Sequence, residues 1–340
     1  MPDSPPKRSK FAAVLAVVAI ATLSGAYAAL AYYWLGPTPR FAPPREVTIE
    51  KGEPFRQIAH ALAEAGVVRS ELALRLYGHL SDTARAIKPG DYAFAGGERI
   101  PDVMRHLVRG DFIVVTVTIP EGLTVHQIAE RVGETGLVCE DQFEQAARNG
   151  KIVRALGLMP LGAEGYLFPA TYKFSPHATI DDVLTAMLAR FYTVLTPQVE
   201  ERMFDFGLTA RQLVTMASIV EKEAKAPEER PLIAGVFYNR LRLRMPLQSD
   251  PTAEYGFDEA GAAATAVHTA SAFNTYDFAG LPPVPIANPG LKSIEAALYP
   301  ANTQFLYFVA REGGGTHVFS KSFAEHKRVI ASERKPAPRK

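Results

Sequence analysis

The hydrophobic pattern opens with 25 consecutive uncharged positions, Phe11 to Leu35. A helix needs ~20 apolar residues to span a hydrocarbon core, so this run is long enough. Lys7, Arg8 and Lys10 precede it and Tyr32, Tyr33 and Trp34 close it, which predicts an anchor with its N-terminus in the cytoplasm. A cleaved signal peptide with Ala26, Tyr27 and Ala28 as its small-x-small site is the alternative. The apolar run continues past that site into an aromatic belt and so favours the uncleaved anchor. On either reading the rest of the chain lies outside the cytoplasm.

Pro37, Pro39, Pro43 and Pro44 disfavour helix and predict a stiff, extended spacer over residues 36–45. A repeat follows. Val47 to Val68 (VTIEKGEPFRQIAHALAEAGVV) and Val117 to Val138 (VTIPEGLTVHQIAERVGETGLV) align without gaps at an offset of 70, with 10 identities in 22 positions. Each copy reads as a strand, a glycine turn at Gly52 or Gly122, and an amphipathic helix closed by Gly66 or Gly136. Ile58 and Leu62, or Ile128 and Val132, mark the buried side of that helix. Two copies are too few for a solenoid, so a pair of small α/β modules is expected.

Beyond the repeat the pattern predicts a strand from Phe112 to Ile119 and a helix from Phe143 to Leu156. The aromatic GYLFPATYKF, Gly165 to Phe174, is interrupted by Pro169 and reads as a packed turn or edge. Asp181 and Asp182 cap a predicted helix reaching Leu195, and Thr209 with Gln212 has the spacing of a capping box. Further helices are expected over Arg230 to Arg244, Ser293 to Leu298 and Phe323 to Ser332. A hairpin is expected from Phe305 to Ala310 and Thr316 to Ser320. Met245 to Pro289 reads as a long Pro/Gly-rich loop region, and loops of that length in a compact domain are usually functional. The fold class expected is α+β.

Composition narrows the function. The 340 residues carry a formal net charge of +1, which argues against a phosphate-tracking surface and hence against nucleic acid. Cys139 is the only cysteine, which excludes an intrachain disulfide and a cysteine-based metal site. The eight histidines are scattered without HExxH-type spacing, so neither a metal nor a cofactor is expected.

The candidate chemistry centres on VTMASIVEKEAK, Val214 to Lys225, an apolar helical run that ends in two glutamates. On a helical wheel Leu213, Met216, Ala217, Val220 and Ala224 form the apolar face, with Arg211, Ser218 and Lys222 exposed. Glu221 and Glu223 flank that face. Lys225 stands at i+4 from Glu221 and is expected to hold it charged. Glu223 has no such partner, lies beside Met216 and Ile219, and sits at the negative end of the helix dipole. These effects raise the expected pKa of Glu223 and make it the better general acid, with Glu221 as the secondary candidate. The alternative is that both are solvated margins of an ordinary amphipathic helix. Downstream, Gln248, Asp250, Asn274 and Thr275 with Tyr255 and Tyr276 could supply the hydrogen bonds and stacking faces of a glycan cleft. Turn capping is the alternative for the short polar side chains.

MASIVEKE at Met216 to Glu223, followed in order by NRL, LQSDPT, NTY, GLPP and NPG, resembles the endolytic murein transglycosylases, membrane-anchored enzymes of bacteria. EGYLFPATY, LYFVA and HVF extend the resemblance over nearly the whole chain. It implies cleavage of the MurNAc-GlcNAc β-1,4 bond of nascent peptidoglycan glycan strands, leaving 1,6-anhydro-MurNAc ends. By the same resemblance Glu223 is the single acid and base, because the substrate's own C6 hydroxyl replaces water. The implied setting is the inner membrane, through one helix, with the catalytic domain in the periplasm and cell-wall synthases as candidate partners. Residues 46–112 resemble a LysM module, the strand-helix-helix-strand unit that binds N-acetylglucosamine polymers, although its usual Asn-containing segment is missing. A connecting α/β domain without sugar contact is the alternative there. The expected order is a cytoplasmic tail (1–10), transmembrane helix (11–35), spacer (36–45), LysM-like module (46–112), second α/β module with catalytic domain (113–332) and disordered tail (333–340). A muramidase-type hydrolase, with Asp250 as second carboxylate, and a non-catalytic peptidoglycan-binding scaffold are the rival functions.

Overall fold

The uncharged N-terminal run forms a single 29-residue helix, α1 (Lys7–Leu35), with its side chains from Val14 to Ala29 exposed. The computed structural model of the chain describes residues 7–158, 162–258 and 271–333. Residues 1–6 of the expected cytoplasmic tail and residues 334–340 of the expected disordered tail lie outside the described residues. Among the described residues no helix is long and apolar enough to cross a membrane.

The chain divides into two compact units, Met1–Val114 and Val115–Lys340. In the first, β1 (Arg45–Ile49), α2 (Phe55–Glu64), α3 (Glu71–Leu80), β2 (Gly90–Phe94) and α4 (Ile100–Arg109) follow α1. Strands β1 and β2 pair antiparallel with Val47 opposite Tyr92. Ile58 and Leu62 of α2 pack with Val47, Ile49, Tyr92 and Phe94 and with Val103, Met104 and Leu107 of α4 in one core.

The second unit starts with the second repeat copy, β3 (Val115–Thr118) and α5 (Val125–Gly133), and continues with α6 (Glu140–Asn149), α7 (Lys151–Ala155) and β4 (Thr171–Phe174). The turn glycines Gly52 and Gly122 have φ of 85° and 80°, and the closing glycines Gly66 and Gly136 have 69° and 72°. A Cβ is disfavoured at such angles, which explains why glycine stands at the same places in both copies. The second copy also pairs antiparallel with a returning strand, β3 with β4, Val117 opposite Tyr172.

The unit continues with α8 (Ile180–Tyr192), α9 (Pro197–Asp205), α10 (Ala210–Glu223), α11 (Arg230–Arg242), α12 (Asp250–Asp258) and α13 (Leu291–Leu298), then β5 (Tyr307–Ala310), β6 (His317–Ser320) and α14 (Phe323–Glu333). β5 and β6 form the third antiparallel pair, and small two-stranded sheets set among helices make the fold α+β.

Several expectations need correction. The helix expected from Phe143 to Leu156 is two, because Gly150 leaves helical geometry at φ −66°, ψ 166°. The cap of α8 is Thr179, not the aspartates. Its Oγ1 accepts from Asp182 N at 3.2 Å while Asp182 accepts from Thr179 N at 2.8 Å. The region read as one loop from Met245 contains α12, and residues 259–270 of it lie outside the described residues.

Helix α10 runs through the centre of the second unit. Thr209 and Gln212 form its capping box, Oγ1 accepting from Gln212 N at 3.2 Å and Gln212 Oε1 from Thr209 N at 2.9 Å. Every residue from Leu213 to Val220 is buried, so the helix has no solvent face in its middle. Ser218, expected on the exposed face, is therefore inside. Its Oγ donates to Thr215 O at 2.8 Å and accepts from Ile286 N at 3.0 Å, so the hydroxyl is fully used despite burial.

Candidate active site

Helix α10 releases its last residue, Glu223, at the edge of the core, and Ala224 turns the chain into extended geometry. The Glu223 carboxyl is half-buried and accepts a hydrogen bond from Ser249 Oγ at 2.6 Å. Its pKa is pushed up to about 7, first by burial and then by the charges of Asp250 and Glu254. The Ser249 hydrogen bond and Arg240 oppose that rise without cancelling it. At neutral pH the group therefore exists in both forms, the condition for a residue that gives and then takes a proton.

The loop carrying Ser249 is held from behind. Arg240, buried on α11, donates through Nη1 to Pro246 O at 3.0 Å, Leu247 O at 2.9 Å and Gln248 Oε1 at 3.0 Å, and through Nε to Leu306 O at 2.6 Å. Gln248 adopts φ of 53°, a left-handed conformation that costs a non-glycine residue of the order of 1 kcal/mol and turns the loop toward α10. Ser249 N donates to Thr275 Oγ1 at 3.1 Å, and Thr275 Oγ1 lies 2.8 Å from Thr252 Oγ1. A single-residue hydroxyl contact to Glu223 is thus fixed by a buried polar network.

Glu223 lines a cleft of about 460 Å³ with Lys222, Lys225, Arg240, Gln248, Asp250 and Tyr276. Tyr307, Phe308, His317, Phe323 and His326 from β5, β6 and α14 complete the wall. Tyr276 Oη donates to Asp250 Oδ1 at 2.5 Å, and burial raises the phenol pKa out of the working range, so Tyr276 remains a donor. Tyr307 stacks on His326 at 5.1 Å between ring centroids, and the Arg240 guanidinium lies 4.9 Å from the Tyr307 ring centroid. Burial and the Arg240 charge lower the His326 pKa, so its imidazole is neutral. A larger cleft of about 560 Å³ lies at the start of α10, beside Tyr166, Arg211 and Pro285. Its carboxylate, Glu164, is committed to Val125 N at 3.0 Å, Tyr255 Oη at 3.1 Å and Asn288 Nδ2 at 3.0 Å, so size does not identify the reactive site.

The residues singled out from sequence separate into two groups. Glu223, Gln248, Asp250 and Tyr276 line one cleft. Tyr255 is buried against Glu164 and Phe273, and Thr275 is buried behind the Ser249 loop. Asn274 is also buried, donating to Asp277 Oδ2 at 2.8 Å and accepting from Tyr276 N at 3.2 Å. These three therefore support the loops that carry the cleft. Glu221 points elsewhere. It pairs with Arg230 Nη2 at 2.9 Å and accepts from Gly290 N at 3.0 Å, so its partner is Arg230 rather than the expected Lys225. Lys225 instead lines the cleft.

A model of the YceG-like family matches residues 47–332. The chain belongs to the YceG-like family. Among its relatives, the endolytic murein transglycosylase of Bacillus subtilis (strain 168) is 32% identical over 303 residues, covering 83% of each chain. That of Streptococcus pneumoniae (serotype 2, strain D39) is 32% identical over 318 residues, and there 84% of this chain matches 57% of the relative. This YceG-like chain thus spans little more than half the length of its pneumococcal relative. The crystal structure of a yceG-like protein from Listeria monocytogenes aligns with a TM-score of 0.59 and 28% identity, over 86% of this chain and 99% of that one.

Sequence reasoning missed Arg240, Ser249, His317 and His326 as parts of the YceG-like cleft. Arg240 carries a usable signal, since an arginine within an otherwise apolar stretch of α11 has to find acceptors when it is buried. Ser249 carries none, because only the fold brings its hydroxyl to Glu223.

Proposed function

We propose that the chain is an endolytic peptidoglycan lytic transglycosylase with Glu223 as its single acid and base. The observation that carries the reading is the Glu223 carboxyl, half-buried at the end of α10 and held by Ser249 in a polar and aromatic cleft, where burial pushes its pKa up to about 7. Its relatives are named endolytic murein transglycosylases and lend the substrate class, murein, in which the sequence resemblance implies the MurNAc-GlcNAc β-1,4 bond as the point of cleavage. Protonated Glu223 donates to the leaving glycosidic oxygen as the C1–O bond breaks. The resulting carboxylate then accepts the proton of the C6 hydroxyl as that oxygen bonds to C1, closing the 1,6-anhydro ring. No water is consumed, and one carboxyl serves both steps where most glycosidases use two.

Gln248, Asp250 and Tyr276 are the polar contacts for the glycan in this reading, and Tyr307 and Phe323 offer ring faces for the CH surfaces of sugars. The N-terminal segment serves as a single inner-membrane anchor with the enzyme on the periplasmic side, a reading supported by the uncharged sequence from Phe11 to Leu35 and by Lys7, Arg8 and Lys10 before it. The strand-helix-helix-strand order of β1, α2, α3 and β2 supports a LysM-like glycan contact in the first unit. Cell-wall synthases are the partners that such a place at the membrane suggests.

E223Q tests the reading. The variant is expected to fold and to release no anhydro-muropeptides from purified sacculi, and wild-type release would overturn the assignment. Product mass separates the hydrolase alternative, whose reducing ends are heavier by one water. Fractionation of cells expressing the chain with and without residues 7–35 tests the anchor.

A further inference from the structure

One buried pair reaches the wall of the same cleft through its histidine and takes no part in the chemistry described above. His317 stands at the start of β6, buried to 7% exposure, and lines the cleft with Glu223. Glu229, buried at 8%, turns both carboxyl oxygens to it. Oε1 accepts from His317 N at 2.8 Å and Oε2 lies 2.7 Å from Nδ1. A carboxylate can only accept, so Nδ1 carries a ring proton, and in that neutral tautomer Nε2 carries none. The Phe308 ring stands edge-on to the imidazole at 5.3 Å between centroids and fixes its plane. That leaves the Nε2 lone pair without a protein partner among the described residues, on a side chain that borders the cleft.

We propose that His317 contacts the glycan directly, its Nε2 accepting a hydrogen bond from a sugar hydroxyl, with Glu229 as the positioning residue that sets its tautomer. The rest of the environment fits that role. A buried carboxylate that orients one imidazole nitrogen leaves the other with a defined donor or acceptor character, the device by which histidines are aimed at ligands elsewhere. The proposal rests on the transglycosylase reading for the identity of the ligand as a sugar.

The experiment compares H317N, H317Q and E229Q in the full chain. An asparagine amide reaches Glu229 as Nδ1 does and places nothing at Nε2, so H317N keeps the structural contact and removes the proposed one. It is expected to fold and to lower kcat/KM on glycan strands about ten- to a hundredfold. H317Q restores an acceptor near Nε2 and recovers part of that loss. In E229Q the amide donates to Nδ1, which moves the ring proton to Nε2 and turns the acceptor into a donor, with a comparable fall in kcat/KM. ¹⁵N spectra of the imidazole should show the Nδ1–H form in the wild type and the Nε2–H form in E229Q. If H317N fails to fold, the E229Q kinetics and the tautomer still decide. Wild-type kcat/KM in a folded H317N or E229Q, or a wild-type ring protonated on Nε2, alone or together with Nδ1, would overturn the proposal. Activity retained in E223Q would instead overturn the enzymatic reading on which it rests.

Discussion

Ser249 Oγ donates to Glu223 Oε1 at 2.6 Å, across 26 positions of sequence, and this hydrogen bond favours the charged form that burial disfavours. The two effects bracket the pKa near 7, where the acid and base forms are both populated. In S249A the opposing hydrogen bond is gone, so the pKa rises further. The first step needs protonated Glu223, and activity therefore falls as pH rises through that pKa. The basic limb of the kcat/KM profile should move to higher pH in S249A. Its maximum should drop about three- to tenfold, the value of one net hydrogen bond. A basic limb that stays in place or moves to lower pH would contradict this account of the site.

The same titration has a cost in stability with a definite sign. Glu223 is raised from 4.5 in the unfolded chain to about 7 in the folded protein, so the folded state holds the proton more tightly. Stability is therefore highest below pH 4.5 with respect to this group, declines as pH rises from about 4.5 to about 7, and carries the full penalty above that. E223Q removes the charge and keeps the acceptor for Ser249. Relative to wild type, it should gain on the order of 1–3 kcal/mol at pH 8 and little at pH 4.5. Thermal unfolding of the two proteins at both pH values measures it, and equal differences at the two would remove the burial argument for Glu223.

How much of this was legible in the sequence follows from the range of each cause. The asymmetry of Glu221 and Glu223 is legible, because apolar spacing and helix end are local features. The partner of Glu221 is not. Position i+4 offers Lys225, yet the extended geometry at Ala224 and the turn at Pro227 bring Arg230 to 2.9 Å, a through-space result of where α10 stops. Ser218 misleads for a related reason. A helical wheel assumes one solvated face, whereas α10 is enclosed, and the Ile286 N–H that satisfies Ser218 arrives from 68 positions away. Asn274, Thr275 and Tyr255 share the polar and aromatic character of cleft residues but are buried in the network behind them. Composition cannot tell a residue that touches ligand from one that holds the loop that does.

Arg230 makes the environment of Glu221 directional. The Glu221 side chain is 7% exposed, Arg230 12%, and Arg230 Nε also donates to Ser293 Oγ at 2.9 Å. In R230A a buried carboxylate keeps only the Gly290 N–H, whereas in E221Q the guanidinium keeps Ser293 and has Glu121 at 3.8 Å. R230A should therefore cost ~3–5 kcal/mol and E221Q clearly less. Denaturant midpoints provide the comparison. The double variant E221Q/R230A should be less destabilised than the sum of the two single changes, because the uncompensated charge is absent. Equal costs for the two single variants would show that the pair is not desolvated as its exposure indicates.

Asn288 links the turn of the second repeat copy to the loop that covers α10. Its side chain is fully buried. Oδ1 accepts from Leu167 N at 2.8 Å, and Nδ2 donates to Leu123 O at 2.9 Å and to Glu164 Oε1 at 3.0 Å. Its backbone exchanges hydrogen bonds with the same turn, Gly122 N to Asn288 O at 2.9 Å and Asn288 N to Leu123 O at 2.8 Å. N288A leaves the Leu167 N–H without its acceptor and strips one of two donors from Leu123 O and one from Glu164, so it should cost ~1–3 kcal/mol. N288D should cost more, although it is closer in shape, because it replaces the donor facing Glu164 with a second acceptor of like charge. Neither variant touches the Glu223 cleft. Unfolding free energies should therefore rank wild type, N288A and N288D in falling order while the basic limb of kcat/KM stays where it is in the wild type. A limb that moves with N288A would show that this buried asparagine acts on the Glu223 carboxyl and not on the frame alone.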